Sequence, residues 1–324
     1  MFDVVALGEL LIDFTPAGKS RNGNPLFEQN PGGAPANLLV QVTRLGGRCA
    51  FIGKVGNDQF GHFLADTLKA EGIDTTGLLL SDEYNTTLDF VHLFPSGDRT
   101  FSFYRKKGGG ADLRLTKDEV PYSLIDQGKI FHFGAVAMTD DPARSTTLAA
   151  AEYAKKQGKL VSYDPNWRPP LWESDETAAR VMKMGLQYCD ILKVSDGELF
   201  MLTGETDAKK GASLLRNMGI PLVFVTMGEK GCYFSCNGGE GFSAAYDVKV
   251  ADTTGCGDAF TGSILHIISS RNIDVRHVSK DEMAAYCDFA NAAGSLCAAG
   301  TGAIPSMGRV EDIENLRKNG KKLG

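Results

Sequence analysis

The stretch Asp252-Thr253-Thr254-Gly255-Cys256-Gly257-Asp258-Ala259-Phe260 holds the densest chemistry in the chain. Glycines flank Cys256, so the backbone can turn sharply there and aim successive N–H groups at one point. The following run, Ala259-Phe260-Thr261-Gly262-Ser263-Ile264-Leu265-His266-Ile267-Ile268, is apolar enough for a buried helix. A glycine turn that opens a helix binds anions, because free amide donors and the positive helix end coincide. Asp258 stands beside that anion, where a carboxylate is repelled unless it serves to take up a proton. An anion cradle next to a base is what phosphoryl transfer to a hydroxyl requires. The plainer alternative is a structural turn between a strand and a helix.

A second constellation lies near the amino terminus. In Pro31-Gly32-Gly33-Ala34-Pro35-Ala36-Asn37 two glycines precede a helix whose first turn contains Pro35, a favoured early position, and Asn37. Asp13 is read as closing the first strand, at the end where α/β sheets bind substrates. A carboxylate and an amide suit a polyol, since they accept and donate in forked geometry. The plainer readings are a helix-cap residue for Asn37 and a strand-end turn residue for Asp13.

Both segments resemble the two signatures of the ribokinase-like (PfkB) family of sugar and nucleoside kinases, the second commonly written D-T-x-G-A-G-D. The resemblance implies that Asp258 is the catalytic base and that the amides of Gly255, Cys256 and Gly257 form the anion hole. Alanine is usual in that family where this chain has Cys256, a change that leaves the backbone donors in place. The first signature, extended by Gly46-Gly47, Gly53, Gly56-Asn57-Asp58 and Gly61, implies that Asp13, Gly32, Gly33 and Asn37 hold sugar hydroxyls. Asp252 and Thr254 are implied to help hold a monovalent cation, K+.

Two arginines bear on the substrate. Phe103-Tyr104-Arg105 ends an alternating segment, and Tyr163-Asp164-Pro165-Asn166-Trp167-Arg168 ends a core strand. The latter resembles the D-x-N-x-R motif of the fructokinase and 2-keto-3-deoxygluconate kinase branches. A guanidinium matches a nucleotide phosphate and a substrate carboxylate equally well, so Arg105 and Arg168 suit either. For the nucleotide, Asn166 and the Lys193-Val194-Ser195-Asp196-Gly197-Glu198 segment resemble the family's phosphate side. There Glu198 is implied to organise Mg2+ through water, although Ser195 replaces the usual Asn. Thr226-Met227-Gly228-Glu229-Lys230-Gly231 resembles the adenine-side turn, with Thr226, Gly228 and Gly231 in contact. Asn291 resembles a residue lining the adenine pocket.

Apolar strand-like runs that alternate with helical segments must position these groups. Val4–Leu7, Cys49–Val55, Lys129–Ala137, Leu160–Tyr163, Ile191–Val194 and Leu222–Thr226 read as buried strands. Gln59–Glu71, Ala143–Gln157, Glu176–Cys189 and Ala208–Met218 read as helices between them. That order predicts an α/β fold, a mostly parallel sheet covered on both faces, with ligands at the carboxyl ends of the strands. Phe14–Asn30 is polar and turn-rich. Thr86–Arg105 alternates like antiparallel strands, with Pro95-Ser96-Gly97-Asp98 as the turn. The resemblance makes these two segments (14–30 and 86–105) a small β lid, and residues 1–13, 31–85 and 106–324 a ribokinase-like three-layer α/β/α domain. It also implies homodimerisation through the lid.

Composition excludes several other classes. The 324 residues carry a net charge of −6, and no block of like charges suggests a nucleic-acid surface. Seven scattered cysteines fit reduced thiols in a cytoplasmic compartment rather than a disulfide framework. No apolar stretch approaches membrane length, and the amino terminus reads as a strand rather than a signal peptide. A G-x-x-x-x-G-K-S/T phosphate loop is absent, as is a G-x-G-x-x-G after the first strand. The five histidines are dispersed.

The expectation is an ATP- and Mg2+-dependent sugar kinase, with fructose the first substrate. 2-Keto-3-deoxygluconate or aminoimidazole riboside are alternatives, as is a catalytically silent sugar- or nucleotide-binding regulator.

Overall fold

The computed structural model describes residues 1–93, 99–105 and 109–323. In chain order its strands are β1 (Phe2–Leu7), β2 (Leu11–Lys19), β3 (Pro25–Gly32), β4 (Cys49–Gly56), β5 (Asp74–Ser81), β6 (Leu88–Leu93) and β7 (Arg99–Tyr104). They continue with β8 (Gly128–Gly134), β9 (Leu160–Asp164), β10 (Ile191–Ser195), β11 (Leu222–Thr226), β12 (Cys232–Cys236) and β13 (Gly239–Ser243). Nine form one sheet in the order β13-β12-β11-β10-β9-β8-β1-β4-β5, parallel from β11 to β5 and antiparallel at the β11–β13 end. Four others form a separate small sheet, β3-β2-β6-β7.

The central strands are apolar on both faces, as a doubly covered parallel sheet demands. Successive side chains on a strand point to opposite faces, so Val4 and Ala6 join one core while Val5 and Leu7 join the other. Leu222 and Phe224 divide from Val223 and Val225 in the same way. On the first face pack the helices Ala34–Arg44, Cys256–Ser270 and Lys280–Ala299; on the second, Ala143–Lys156, Asp175–Leu186 and Ala208–Asn217. Among the described residues no helix is long and apolar enough to cross a membrane.

The expected strands and helices of the main sheet are present within a few residues. One runs short: β8 ends at Gly134, and Val136–Met138 is a single 3-10 turn. The edge strand β5 and the β12–β13 hairpin are additions. The small sheet differs from expectation in one place that matters. Its first strand begins at Leu11, so Asp13 lies within β2 rather than at the end of β1, which stops at Leu7. The Leu10-Leu11-Ile12 run hides that break, because it looks like a continuation of the apolar first strand. β6 and β7 pair antiparallel, as the alternation indicates. The turn assigned to Pro95–Asp98 lies outside the described residues.

Candidate active site

Asp258 occupies the first turn of the helix Cys256–Ser270, and Gly255 caps that helix with φ +82°. This is the left-handed region, which glycine enters without the steric cost borne by other residues. A Cβ there would also meet that of Ala303 at 2.7 Å. Ala259 donates the first helical bond, to the Gly255 carbonyl at 2.8 Å. The amides of Gly255, Gly257 and Asp258 therefore donate to no acceptor among the described residues. Cys256 differs from expectation, because its amide makes a long bond to the Thr253 carbonyl (3.4 Å) and is partly engaged. The donor set is centred on Gly255 and Gly257.

Asn37, in the first turn of the helix Ala34–Arg44, reaches the same point from the other half of the chain. Its Nδ2 donates to Asp258 Oδ2 at 2.9 Å. That helix is capped by Gly33 at φ +114°, where a Cβ would run into the Glu9 backbone carbonyl. Glu9 Oε1 accepts the Ala34 amide at 3.1 Å, so a buried carboxyl sits on the positive end of the helix.

These groups line one cleft of about 430 Å³ between the small sheet and the carboxyl ends of the main strands. Its walls include Glu9, Asp13, Asn30, Gly33, Asn37, Asp89, Asn166, Arg168, Lys193, Glu198, Asp252, Thr254, Gly255, Gly257 and Asp258. Loss of water raises the Asp258 carboxyl to about 6. The Asn37 bond and the charges of Lys193 and Arg168 hold it down, while Asp164 pushes it up. Burial likewise lifts Asp13 to about 8, helped by Asp89, and Glu9 to about 7.

Lys193 is buried on β10 and forms an ion pair with Asp164 (Nζ–Oδ2 3.1 Å). Burial works against its charge, but Asp164, Glu198 and Asp258 outweigh that and raise its pKa. A Cβ on Gly257 would come within 3.2 Å of the Lys193 ammonium, so this cation stands beside the amide cradle. Asn166 takes φ +47° at the end of β9, its amide held by Asp164 Oδ1.

Glu198 is buried, and both its oxygens accept backbone amides, from Trp167 and from Ser195, each at 2.7 Å. It ties the ends of β9 and β10 together, and its carboxylate fits Mg2+ through water better than by direct ligation. Among the described residues no group of three or more His, Cys, Asp or Glu is arranged to hold a metal ion. Asp252 organises its own turn: Oδ1 accepts from the Thr254 amide and hydroxyl, and Oδ2 from the Gly302 amide.

Several expected contacts lie elsewhere. Arg105 is not among the cleft-lining residues; its guanidinium pairs with Asp112 at 2.7 Å and donates to the Val136 carbonyl, with both partners of the ion pair buried. Gly32 is not among the cleft-lining residues and lies against the Asp13 carboxylate, where a Cβ would collide. Thr226, Gly228, Gly231 and Asn291 also stand outside this cleft. Thr226 is the register partner of Ser195, which does line it. Asn291 donates to the Ser243 carbonyl at 2.8 Å, and Gly231 packs against the same Ser243–Ala245 segment, so the two brace that segment. Conversely, Asp89 and Glu9 line the cleft although neither is among the residues expected there.

Comparison with known proteins agrees with this geometry. The model of the pfkB family carbohydrate kinases matches residues 1–308. "Probable fructokinase-3" of Arabidopsis thaliana is 42% identical over 97% of this chain and 90% of its own length. The fructokinase of Xylella fastidiosa with bound ATP superposes with a TM-score of 0.88 at 31% identity, covering 98% of this chain and 99% of the other. A double mutant of the Vibrio cholerae O395 fructokinase, in fructose-, ADP- and potassium-bound form, gives a TM-score of 0.85 at 31% identity over 96% and 97% of the two chains.

Proposed function

The chain belongs to the pfkB family of carbohydrate kinases, and from that premise we propose that it transfers the γ-phosphoryl group of ATP to the 6-hydroxyl of fructose. The observation that carries this reading is a polarised carboxylate, Asp258, beside unbonded amides at the start of a buried helix. Asp258 takes the proton of the attacking hydroxyl. The Gly255 and Gly257 amides, with the Lys193 ammonium next to them, stabilise charge on the moving phosphoryl group. Glu198 would hold Mg2+ through water, and the ion would supply neutralisation of phosphate charge. Asp13, Gly33 and Asn37 orient the sugar, and the small sheet closes over it to exclude water.

The relatives named above support fructose over other sugars. The test is an ADP-release assay on fructose, 2-keto-3-deoxygluconate, ribose, adenosine and aminoimidazole riboside, with and without K+. Fructose turnover well above the rest is expected, whereas NAD(P) binding or a total lack of ADP release would overturn it. For assembly, the small sheet exposes Phe27 and Tyr104 around a stack of Phe14 on Phe90 (4.8 Å between rings), a surface suited to a second copy. Light scattering at a dimer mass is the expected result. All seven cysteines are free thiols, in keeping with a cytoplasmic setting.

A further inference from the structure

Asp13 and Asp89 are register partners on the parallel strands β2 and β6, so their side chains leave the small sheet on the same face, into the cleft. Asp89 is only 2% exposed, and its Oδ1 is buried without a hydrogen-bond partner. Two further buried acceptors in the same cleft have none either, Glu9 Oε2 and Asn37 Oδ1. A buried acceptor left unpaired is costly, so a wall built from three of them is complementary to a ligand that brings several hydroxyl donors.

We propose that Asp89 is a specificity-determining residue, whose carboxylate accepts a sugar hydroxyl and rejects substrates bearing a carboxylate at that end. The inference rests on the sugar-kinase reading and narrows its substrate class to neutral polyols. Charge supports it. Within the Asp13–Asp89 pair burial lifts Asp13 to about 8 but Asp89 only to about 6, Arg168 and the Phe90 amide holding the latter down. At neutral pH the pair as a whole therefore keeps negative charge. Of the two cations lining the cleft, Lys193 is paired with Asp164, and Arg168 is exposed and already faces Asp13, Asp89 and Asp258. A sugar acid would have to bring a carboxylate into this field, and like-charge juxtaposition is strongly unfavourable.

The experiment compares fructose with 2-keto-3-deoxygluconate, which keeps a primary hydroxyl at one end and places a carboxylate at the other. Wild type and Asp89→Asn are assayed with each as substrate, and with the acid as a competitive inhibitor against fructose. The variant is expected to raise KM for fructose and to shift the preference toward the acid by about tenfold or more, with KM for ATP unchanged. A preference unchanged within about twofold would overturn the inference, since the least expected shift corresponds to a full factor of ten. If Asp89→Asn does not fold, Asp89→Thr, neutral and suited to a strand, gives the same readout. Wild type that phosphorylates neither compound would instead sink the fructose reading, and calorimetric binding of the two compounds to both proteins then decides the role of Asp89 alone.

Discussion

Asn37 and Asp258, 221 residues apart in the chain, meet through one hydrogen bond of 2.9 Å from Nδ2 to Oδ2. The bond joins the first turns of two helices that pack on the same face of the sheet, and it favours the ionised form of the carboxyl that burial disfavours. With Asp258 at about 6, the base is protonated in more acidic solution. kcat/KM should therefore climb with pH up to about 6 and then level off. Removing the bond in Asn37→Ala should move that acid limb to higher pH and lower kcat. A pH–rate profile of wild type and variant checks this; an unmoved limb would separate Asn37 from the base.

Asp13→Asn should bind fructose less well yet make the protein more stable at neutral pH. The folded-state pKa of about 8 is raised above the ordinary carboxyl value of about 3.9, so the native state holds the proton more tightly than the unfolded chain. Stability consequently falls as pH rises through that window, and a neutral amide escapes the loss. The gain in Tm over wild type should be absent near pH 4 and grow toward pH 8. A difference independent of pH would contradict it.

Arg105→Ala should act on folding. The change leaves Asp112 buried and without its ion pair, a loss of about 3–5 kcal/mol for such pairs. Urea unfolding should show the destabilisation, with KM for fructose changed far less at temperatures where the variant stays folded. A stable variant with a sharply raised KM would return Arg105 to the sugar site.

Gly255→Ala and Gly257→Val should separate backbone strain from loss of the cradle. Gly255 sits at φ +82° against Ala303, so even a methyl group there should cost at least the roughly 1–2 kcal/mol of a left-handed non-glycine residue and lower Tm accordingly. Gly257 has helical geometry and faces only the end of the flexible Lys193 side chain. Valine there keeps the amide but should block close approach of the phosphoryl group to it, reducing kcat by about a hundredfold, the scale of a lost oxyanion contact, at a smaller cost in Tm. Thermal melts with parallel kinetics test the pair.

The main sheet was legible because its strands are short apolar runs separated by amphipathic helices, and that pattern is local. The anion cradle was legible for the same reason, since Gly255, Gly257 and Asp258 are near neighbours in sequence. Asp13 was assigned to the wrong strand because Leu10, Leu11 and Ile12 mask the break after Leu7. Asp89 gave no signal: in Leu88-Asp89-Phe90-Val91-His92 an acid reads as the solvent side of an alternating strand, and only the pairing with Asp13 turns it inward. Glu9 left a trace, an acid after a buried strand and ahead of a Gly-Gly helix start. The Arg105 partner, Asp112, lies beyond a Lys- and Gly-rich run of sequence whose residue types carry no periodicity to read.

The central claim is that Asp258 takes the proton, and Asp258→Asn tests it most directly because asparagine keeps the shape and loses the basicity. Calorimetry should show fructose binding largely intact, while single-turnover kinetics show kcat reduced by about 10²–10⁴, the usual worth of a positioned base. Turnover near the wild-type rate, with fructose still bound, would contradict the account.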